Sequence, residues 1–336
     1  MLFEFDSDQR LWQDTVRDVT AKECSPTLIR NIVDNGTDPG PLWRRYVDLG
    51  WTELTEPESA VELAIVLEEL GRSTDPTPYL ATTTQFAPLA GASVDATRTG
   101  AAVYEGVAVY RDGTEWVLDG AALHVLDGDR ADRLAVVTGA GVFVVPGDQV
   151  TATRTPVFDP TLHLADVRFS GVRVTDAERV DVDPVRAREF ALMGMATTTV
   201  GACQRILDLV LEHVRQRQQF GALIGSFQAV HHKATDMHVA IERARALAYY
   251  AALTISADDP RRSLAASMAK AAAGECQSLV FRNGIQLFGA MGFTWENDLQ
   301  FALKRAKAGE LMLGGAAEHR ARIADGYRSQ IAKEYA

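Results

Sequence analysis

Two short stretches carry residue types suited to binding a diphosphate. Residues 217–228 read Arg-Gln-Gln-Phe-Gly-Ala-Leu-Ile-Gly-Ser-Phe-Gln, and residues 286–296 read Gln-Leu-Phe-Gly-Ala-Met-Gly-Phe-Thr-Trp-Glu. A guanidinium such as that of Arg217 matches phosphate oxygens two at a time and stays charged at any working pH. In the second stretch Gly289, Ala290 and Gly292 form a small-residue turn, where a backbone can approach a ligand closely and offer its N–H groups to phosphate. Either stretch alone also fits a plainer description, a solvated charged segment or a glycine ending a helix.

The surrounding pattern predicts three regions, bounded at 1–90, 91–183 and 184–336. In the first, Asp6 or Ser7 caps a helix with Leu11, Trp12, Val16 and Val19 on its apolar side. Short helices follow over 42–49 and 59–70, each stopping at a glycine, and the chain turns repeatedly through 76–88. In the second, β-branched runs at 101–110, 116–123, 133–138, 141–145, 151–157 and 164–169 are separated by Asp112-Gly113, Asp127-Gly128 and Pro146-Gly147. That is the pattern of a small antiparallel β-domain. In the third, Asp183-Pro184 and Asp259-Pro260 mark helix starts, and helices over 185–216, 226–256, 260–289 and 298–330 predict a four-helix bundle.

The two stretches, in this order and near this separation, resemble the C-terminal signature of FAD-dependent acyl-CoA dehydrogenases. The resemblance implies an α+β fold with an N-terminal helical domain, a central β-domain and a C-terminal bundle. It further implies that Arg217 reaches the FAD pyrophosphate across a subunit interface. By the same resemblance Phe220 packs near the flavin, Gln228 hydrogen-bonds the cofactor, and Gln286 with Gly289, Ala290 and Gly292 receives the adenosine diphosphate. Where the family commonly has two adjacent glycines this chain has Gly289-Ala290.

The family's base positions are empty of carboxylates. Aligning Lys304-Arg305-Ala306-Lys307 and Glu318-His319-Arg320 with the family places Leu313-Gly314 where a Glu-Gly pair is usual. Counting 30 residues back from Gly221 gives Ala191 at the alternative position, followed by Leu192 where many members have an arginine. Abstraction of a thioester α-proton needs a carboxylate within hydrogen-bond reach, and neither Leu313 nor Ala191 is one. Glu189, Glu310 and Glu318 lie nearby in sequence and read as solvated helix-face residues. The β-region is short and lacks a Thr-Glu-Pro-x-x-Gly-Ser segment to cover a flavin ring.

These departures resemble the short subunit of actinobacterial α2β2 acyl-CoA dehydrogenases of the steroid side-chain type. There, a longer partner subunit carries the base and electrons pass to an electron-transferring flavoprotein. Two alternatives remain at this stage: a self-sufficient homomeric enzyme with Glu310 or Glu318 as a displaced base, and a flavin-free structural or regulatory subunit.

Composition narrows the field. A net charge of −11 argues against nucleic acid as a partner. No window approaches the roughly 18 consecutive apolar residues of a membrane span. The N-terminus shows no secretory pattern, and Cys24, Cys203 and Cys276 fit reduced thiols, so a cytoplasmic location is expected. The cysteines match no metal spacing, and His231, His232 and His238 read as polar surface residues without metal-ligand companions. No P-loop, Ser-His-Asp pattern or dinucleotide glycine fingerprint is present.

Overall fold

A computed structural model describes residues 4–334, apart from the side chains of Ser93 and 329–334. The chain forms two compact units that interleave in sequence. One is built from the chain up to Arg30, from Ala60–Asp75, and from Leu192 onward. The other comprises Asn31–Ser59 and Pro76–Ala191.

The first unit is helical. Its elements are α1 (Ser7–Glu23), the start of α2 (Pro26–Asn35), α4 (Ala60–Ser73), α7 (Pro184–Gln216) from Leu192, α8 (Gln228–Ser256), α9 (Arg262–Phe288), α10 (Leu299–Leu311) and α11 (Ala316–Glu334). Asp6 caps α1, its carboxylate accepting from the backbone of Asp8 and Gln9. Small residues let α7 approach its neighbours at backbone distance. A Cβ on Gly201 would lie 1.9 Å from the Glu68 carbonyl oxygen, and one on Gly71 would lie 2.2 Å from that of Thr198. On α10, a Cβ on Gly309 would meet the Thr199 hydroxyl at 2.2 Å. Any side chain at these positions would push the helices apart.

The second unit holds α3 (Gly40–Asp48) and two four-stranded sheets. The first sheet has the order β1 (Gly100–Val103), β4 (Arg133–Thr138), β5 (Gly141–Pro146), β8 (Arg179–Val180). The second has β2 (Val107–Asp112), β3 (Glu115–Leu126), β7 (Leu164–Val174), β6 (Thr151–Thr155). Among the described pairings only β1 with β4 is parallel. Alternation along the first sheet divides its two faces. Ala101, Val103, Leu134, Val136, Phe143 and Val145 join the core shared with Leu118, Val167 and Phe169 of the second sheet. Ala102, Ala135, Val142 and Val144 face the other way, onto Phe86, Leu89 and Ala90.

Those last three residues correct one expectation. Turns occupy only 76–78, and from Tyr79 the chain enters a buried helical run: α5 (Tyr79–Ala81), a π-helical turn (Thr82–Phe86) and α6 (Ala87–Ala90). The prolines that suggested turns are placed where a helix tolerates them, Pro78 before α5 and Pro88 in the first turn of α6. The hydroxyls of Thr83 and Thr84 donate to the carbonyls of Tyr79 and Leu80, at 2.8 and 2.6 Å. Two further expectations are corrected. The run 101–110 divides into β1 and β2, which enter different sheets with only Tyr104, Glu105 and Gly106 between them. The helix expected over 298–330 is two helices, α10 and α11, broken at 312–315.

Candidate functional site

The residues of the two diphosphate-type stretches gather at one end of the helical unit. Where α7 ends, the backbone N–H of Arg217 donates to His213 at 2.9 Å. The chain then doubles back in a two-residue hairpin, β9 (Gln218–Gln219) against β10 (Ala222–Leu223). Its turn residues, Phe220 at φ 54° and Gly221 at φ 79°, both take the left-handed conformation that the tightest hairpins require. Leucine-like bulk is not hidden here: Phe220 is 92% exposed and meets Phe227 edge-on at 6.3 Å. Gln228 opens α8 beside it.

The second stretch follows α9. Gly289 caps the helix at φ 61° and ψ −142°, a conformation open to glycine alone, and starts the tight turn Gly289–Phe293. Gly292 is buried, and a Cβ there would press to 3.0 Å on Phe288, whereas Gly289, Ala290 and Met291 are exposed. The following loop is held from a distant part of the chain. Arg30 donates to the carbonyls of Trp295 and Glu296, both at 3.2 Å, and pairs with Asp298.

His213 joins the two stretches. Its ring stacks on Phe288 with centroids 4.5 Å apart and planes 14° from parallel. Burial, and then the charge of Arg217, hold its pKa below the ordinary histidine value. This contact sets the end of α7, with Arg217 one helical turn beyond His213, against the end of α9 just before Gly289. The side chains of Arg217, Gln228 and Gln286 are exposed and have no hydrogen-bond or ion-pair partner among the described residues. An arginine, two amides and the first residues of a glycine turn, near the ends of α7 and α9, are thus all exposed.

The Leu313 turn has the opposite character. Leu313 takes φ 60°, unfavourable for a branched side chain, and Gly314 takes φ 97°. Internal groups pin the turn. The ammonium of Lys270, fully buried on α9, donates to the carbonyls of Glu310 and Gly314 at 3.0 and 2.7 Å. Burial depresses its pKa to about 8 against the pull of Glu310 and Glu318. The His319 ring is also buried, with Nε2 2.9 Å from the Leu313 carbonyl oxygen, so this nitrogen carries the donated proton. Its Nδ1 is buried without a partner. A second proton there would have no acceptor, and burial lowers the pKa accordingly.

The three nearby carboxylates differ from one another. Glu189 is buried rather than on a solvated face. Glu310 is half-buried and pairs with Lys307 at 2.8 Å. Glu318 is exposed and pairs with Arg322 at 2.7 Å. Both Glu310 and Glu318 reach the turn, since Cβ atoms built on Gly315 and Gly314 would lie 3.2 and 2.7 Å from their oxygens. Ala191 is fully buried on α7. His231, His232 and His238 are exposed, and no group of metal-ligating side chains occurs among the described residues.

In the β unit, Tyr104, Glu105 and Gly106 make the whole connection between β1 and β2. Gly106 sits at φ 89°, where a Cβ would strike the Ala121 carbonyl oxygen at 2.3 Å. The Tyr104 hydroxyl is buried without a partner, its ring lying under the Arg188 guanidinium at 5.4 Å. His213, Phe288 and Arg30 were not found from sequence. His213 is one turn before Arg217 and gives a local signal, whereas Arg30 is separated from Trp295 by 265 residues.

Comparison with known proteins gives these features a context. Residues 190–327 match the family model described as acyl-CoA dehydrogenase, C-terminal domain. Over 94% of this chain and 97% of its relative, the sequence is 32% identical to acyl-CoA dehydrogenase IpdE2 of Mycolicibacterium smegmatis. The chain belongs to the acyl-CoA dehydrogenase family. Among solved structures, a chain of the ChsE4–ChsE5 complex from Mycobacterium tuberculosis superposes with a TM-score of 0.89 at 24% identity, covering 98% of this chain and 99% of that one. Butyryl-CoA dehydrogenase from Megasphaera elsdenii superposes with a TM-score of 0.88 at 20% identity, covering 97% and 100%. The fold is that of the acyl-CoA dehydrogenases, and the chain is an oxidoreductase of that family. No helix among the described residues is long and apolar enough to cross a membrane.

Proposed function

We propose that this acyl-CoA dehydrogenase works as one subunit of an α2β2 complex that desaturates an acyl-CoA between Cα and Cβ. It completes a flavin site whose ring and base belong to a longer partner subunit. The observation that carries this reading is the contrast between the outward, unpartnered side chains of Arg217, Gln228 and Gln286 and the three-residue β1–β2 connection, which would be too short for a loop that covers a flavin ring. The residues present fit the adenosine diphosphate of FAD. Arg217 would neutralise the pyrophosphate, Gln228 and Gln286 would supply directional hydrogen bonds, and the backbone from Gly289 to Gly292 would admit close approach. Phe220 would exclude water at the same edge.

FAD, when bound, supplies the hydride acceptor. The α-proton would go to the partner's carboxylate, since Leu313 and Ala191 have no group to receive it. A bulky acyl group such as a sterol side chain, an electron-transferring flavoprotein as acceptor and a cytoplasmic setting complete the proposal. The division into 1–90, 91–183 and 184–336 assigns the half-site to the last segment.

The deciding experiment is flavin stoichiometry on the chain alone and co-purified with a full-length partner. About one FAD per heterodimer and little on the chain alone is the expected result. In that complex Arg217→Ala should weaken FAD retention by roughly 10- to 100-fold, the scale of one charge-assisted phosphate contact. Unchanged flavin content in Arg217→Ala would instead identify a flavin-free subunit. One FAD per chain without a partner would sink the shared-site reading.

One observation favours a second reading. Glu318 and Glu310 both flank the Leu313 turn, so either would be the base of a self-sufficient enzyme. Loss of turnover with FAD retained in Glu318→Gln or Glu310→Gln would establish it.

A further inference from the structure

The helical unit contains a second place where a charged group lacks a partner, a cleft of about 390 Å³ between α1, α2, α4, α7 and α10. It uses none of the residues assigned to the flavin half-site. Its lining combines an apolar wall, formed by Ile29, Phe301 and Ala302, with three arginines, Arg17, Arg72 and Arg205.

Two of the arginines are engaged. Arg17 holds Glu69 through two bonds of 3.1 and 2.6 Å. Arg72 holds Asp208 through bonds of 3.0 and 2.6 Å. Arg205 is half-buried on α7 and has no hydrogen-bond or ion-pair partner among the described residues. Each carboxylate near it is already occupied. Asp208, one turn along the same helix, accepts from Arg72 and from Gln204 at 2.9 Å. Glu69 is held by Arg17, and Asp298 by Arg30. The lining thus carries three guanidiniums against two carboxylates, Glu69 and Asp298.

A half-buried cation without a counter-ion is costly to a fold, and side chains that place one beside an apolar wall suit a ligand bringing one negative charge. We infer that this cleft binds a small organic monoanion, a carboxylate on a compact apolar body. The carboxylate meets Arg205 in a bidentate pair, and the body packs on Ile29, Phe301 and Ala302. A dianion such as phosphate would face Glu69 and Asp298 with no apolar part to bury, and fits less well.

The test uses the full-length chain and 1-adamantanecarboxylate, with the neutral 1-adamantanecarboxamide and inorganic phosphate as comparisons. Titration calorimetry and saturation-transfer NMR should give a dissociation constant on the order of 1 mM for the carboxylate, the scale expected for a ligand of this size. Arg205→Gln should weaken binding about tenfold or more, and the carboxamide should bind equally poorly to both proteins. Ala21→Leu narrows the cleft from a solvent-exposed position on α1 and should also weaken binding, so the test stands if Arg205→Gln fails to fold. Equal binding of carboxylate and carboxamide, tighter binding of phosphate, or unchanged affinity in Ala21→Leu and a folded Arg205→Gln would each overturn the inference. Arg217→Ala should leave carboxylate binding unchanged, which separates this outcome from that of the flavin proposal.

Discussion

The edge that carries Arg217 and the turn that carries Leu313 lie in the same helical unit and use their polar groups in opposite directions. At the first, a guanidinium, two side-chain amides and a glycine turn are exposed and uncommitted. At the second, a buried lysine and a buried histidine turn inward and consume the carbonyls of residues 310, 313 and 314. A surface that keeps its donors free is organised for something outside the chain. A turn whose carbonyls at 310, 313 and 314 take donors from its own chain is organised to hold its own shape. The difference explains how the Leu313 turn keeps a defined shape through groups of its own chain.

The sharpest way to break the contrast is at Lys270. Replacing it with Met leaves two carbonyls without their donor, and stability should fall by on the order of 3 kcal/mol, measured by urea denaturation. A change under about 1 kcal/mol would mean that the turn does not depend on internal donors. At the other edge, Phe220→Ser should leave the stability of the chain within about 0.5 kcal/mol of the parent, because the ring is 92% exposed. The same variant should lose flavin from the co-purified complex, and equal loss of stability and flavin would erase the distinction.

Acidification tests the turn more gently. Burial lowers the pKa of His319 in the folded state, so the unfolded chain takes up its proton first as pH falls. Its contribution is fully present above the ordinary histidine value of about 6.5 and is lost as pH drops through the lowered folded value. His213, lowered by burial and by Arg217, acts in the same direction. The melting temperature should therefore fall by a few degrees between pH 7 and 5, and less in His319→Gln; identical profiles would remove His319 from the account. The smallest effect concerns Leu313 itself. Leu313→Gly and Leu313→Ala both discard the side chain, but only glycine relieves the positive φ. The glycine variant should be more stable than the alanine variant by about 1 kcal/mol, and a reversed order would show that the turn relaxes in the variants.

What could be read from the residues followed the range of the forces involved. Helix periodicity and caps are local, so the cap of α1 at Asp6 and the extent of α7 are legible in the chain. The family and its fold were visible too, through two compact motifs. The break at 312–315 was not, because the donors that stabilise it come from residue 270 and from the far side of the turn. The buried helix around Thr82 is not legible locally because its prolines signal turns, while the sheet that covers Phe86 and Leu89 lies later in the chain. Arg217 and the 289–292 turn stand out through the resemblance of their two stretches to the family signature. Their convergence through His213 and Phe288 needed the packing of α7 on α9.

The close approach of α4 to α7 at Gly71 and Gly201 also sets an order of events during synthesis. At about 5–20 residues per second, the roughly 130 residues from Gly71 to Gly201 take on the order of ten seconds to emerge. All that time α4, with Leu63, Ile65, Val66 and Leu67 destined for full burial, has no α7 to receive it, while the sheets of the other unit are already complete before α7 is made. The nascent chain thus carries an apolar helix in waiting behind a finished β unit. Holding chaperones would engage it at that stage, and changes that slow translation between these two points should lower the soluble yield without altering the stability of the protein once made.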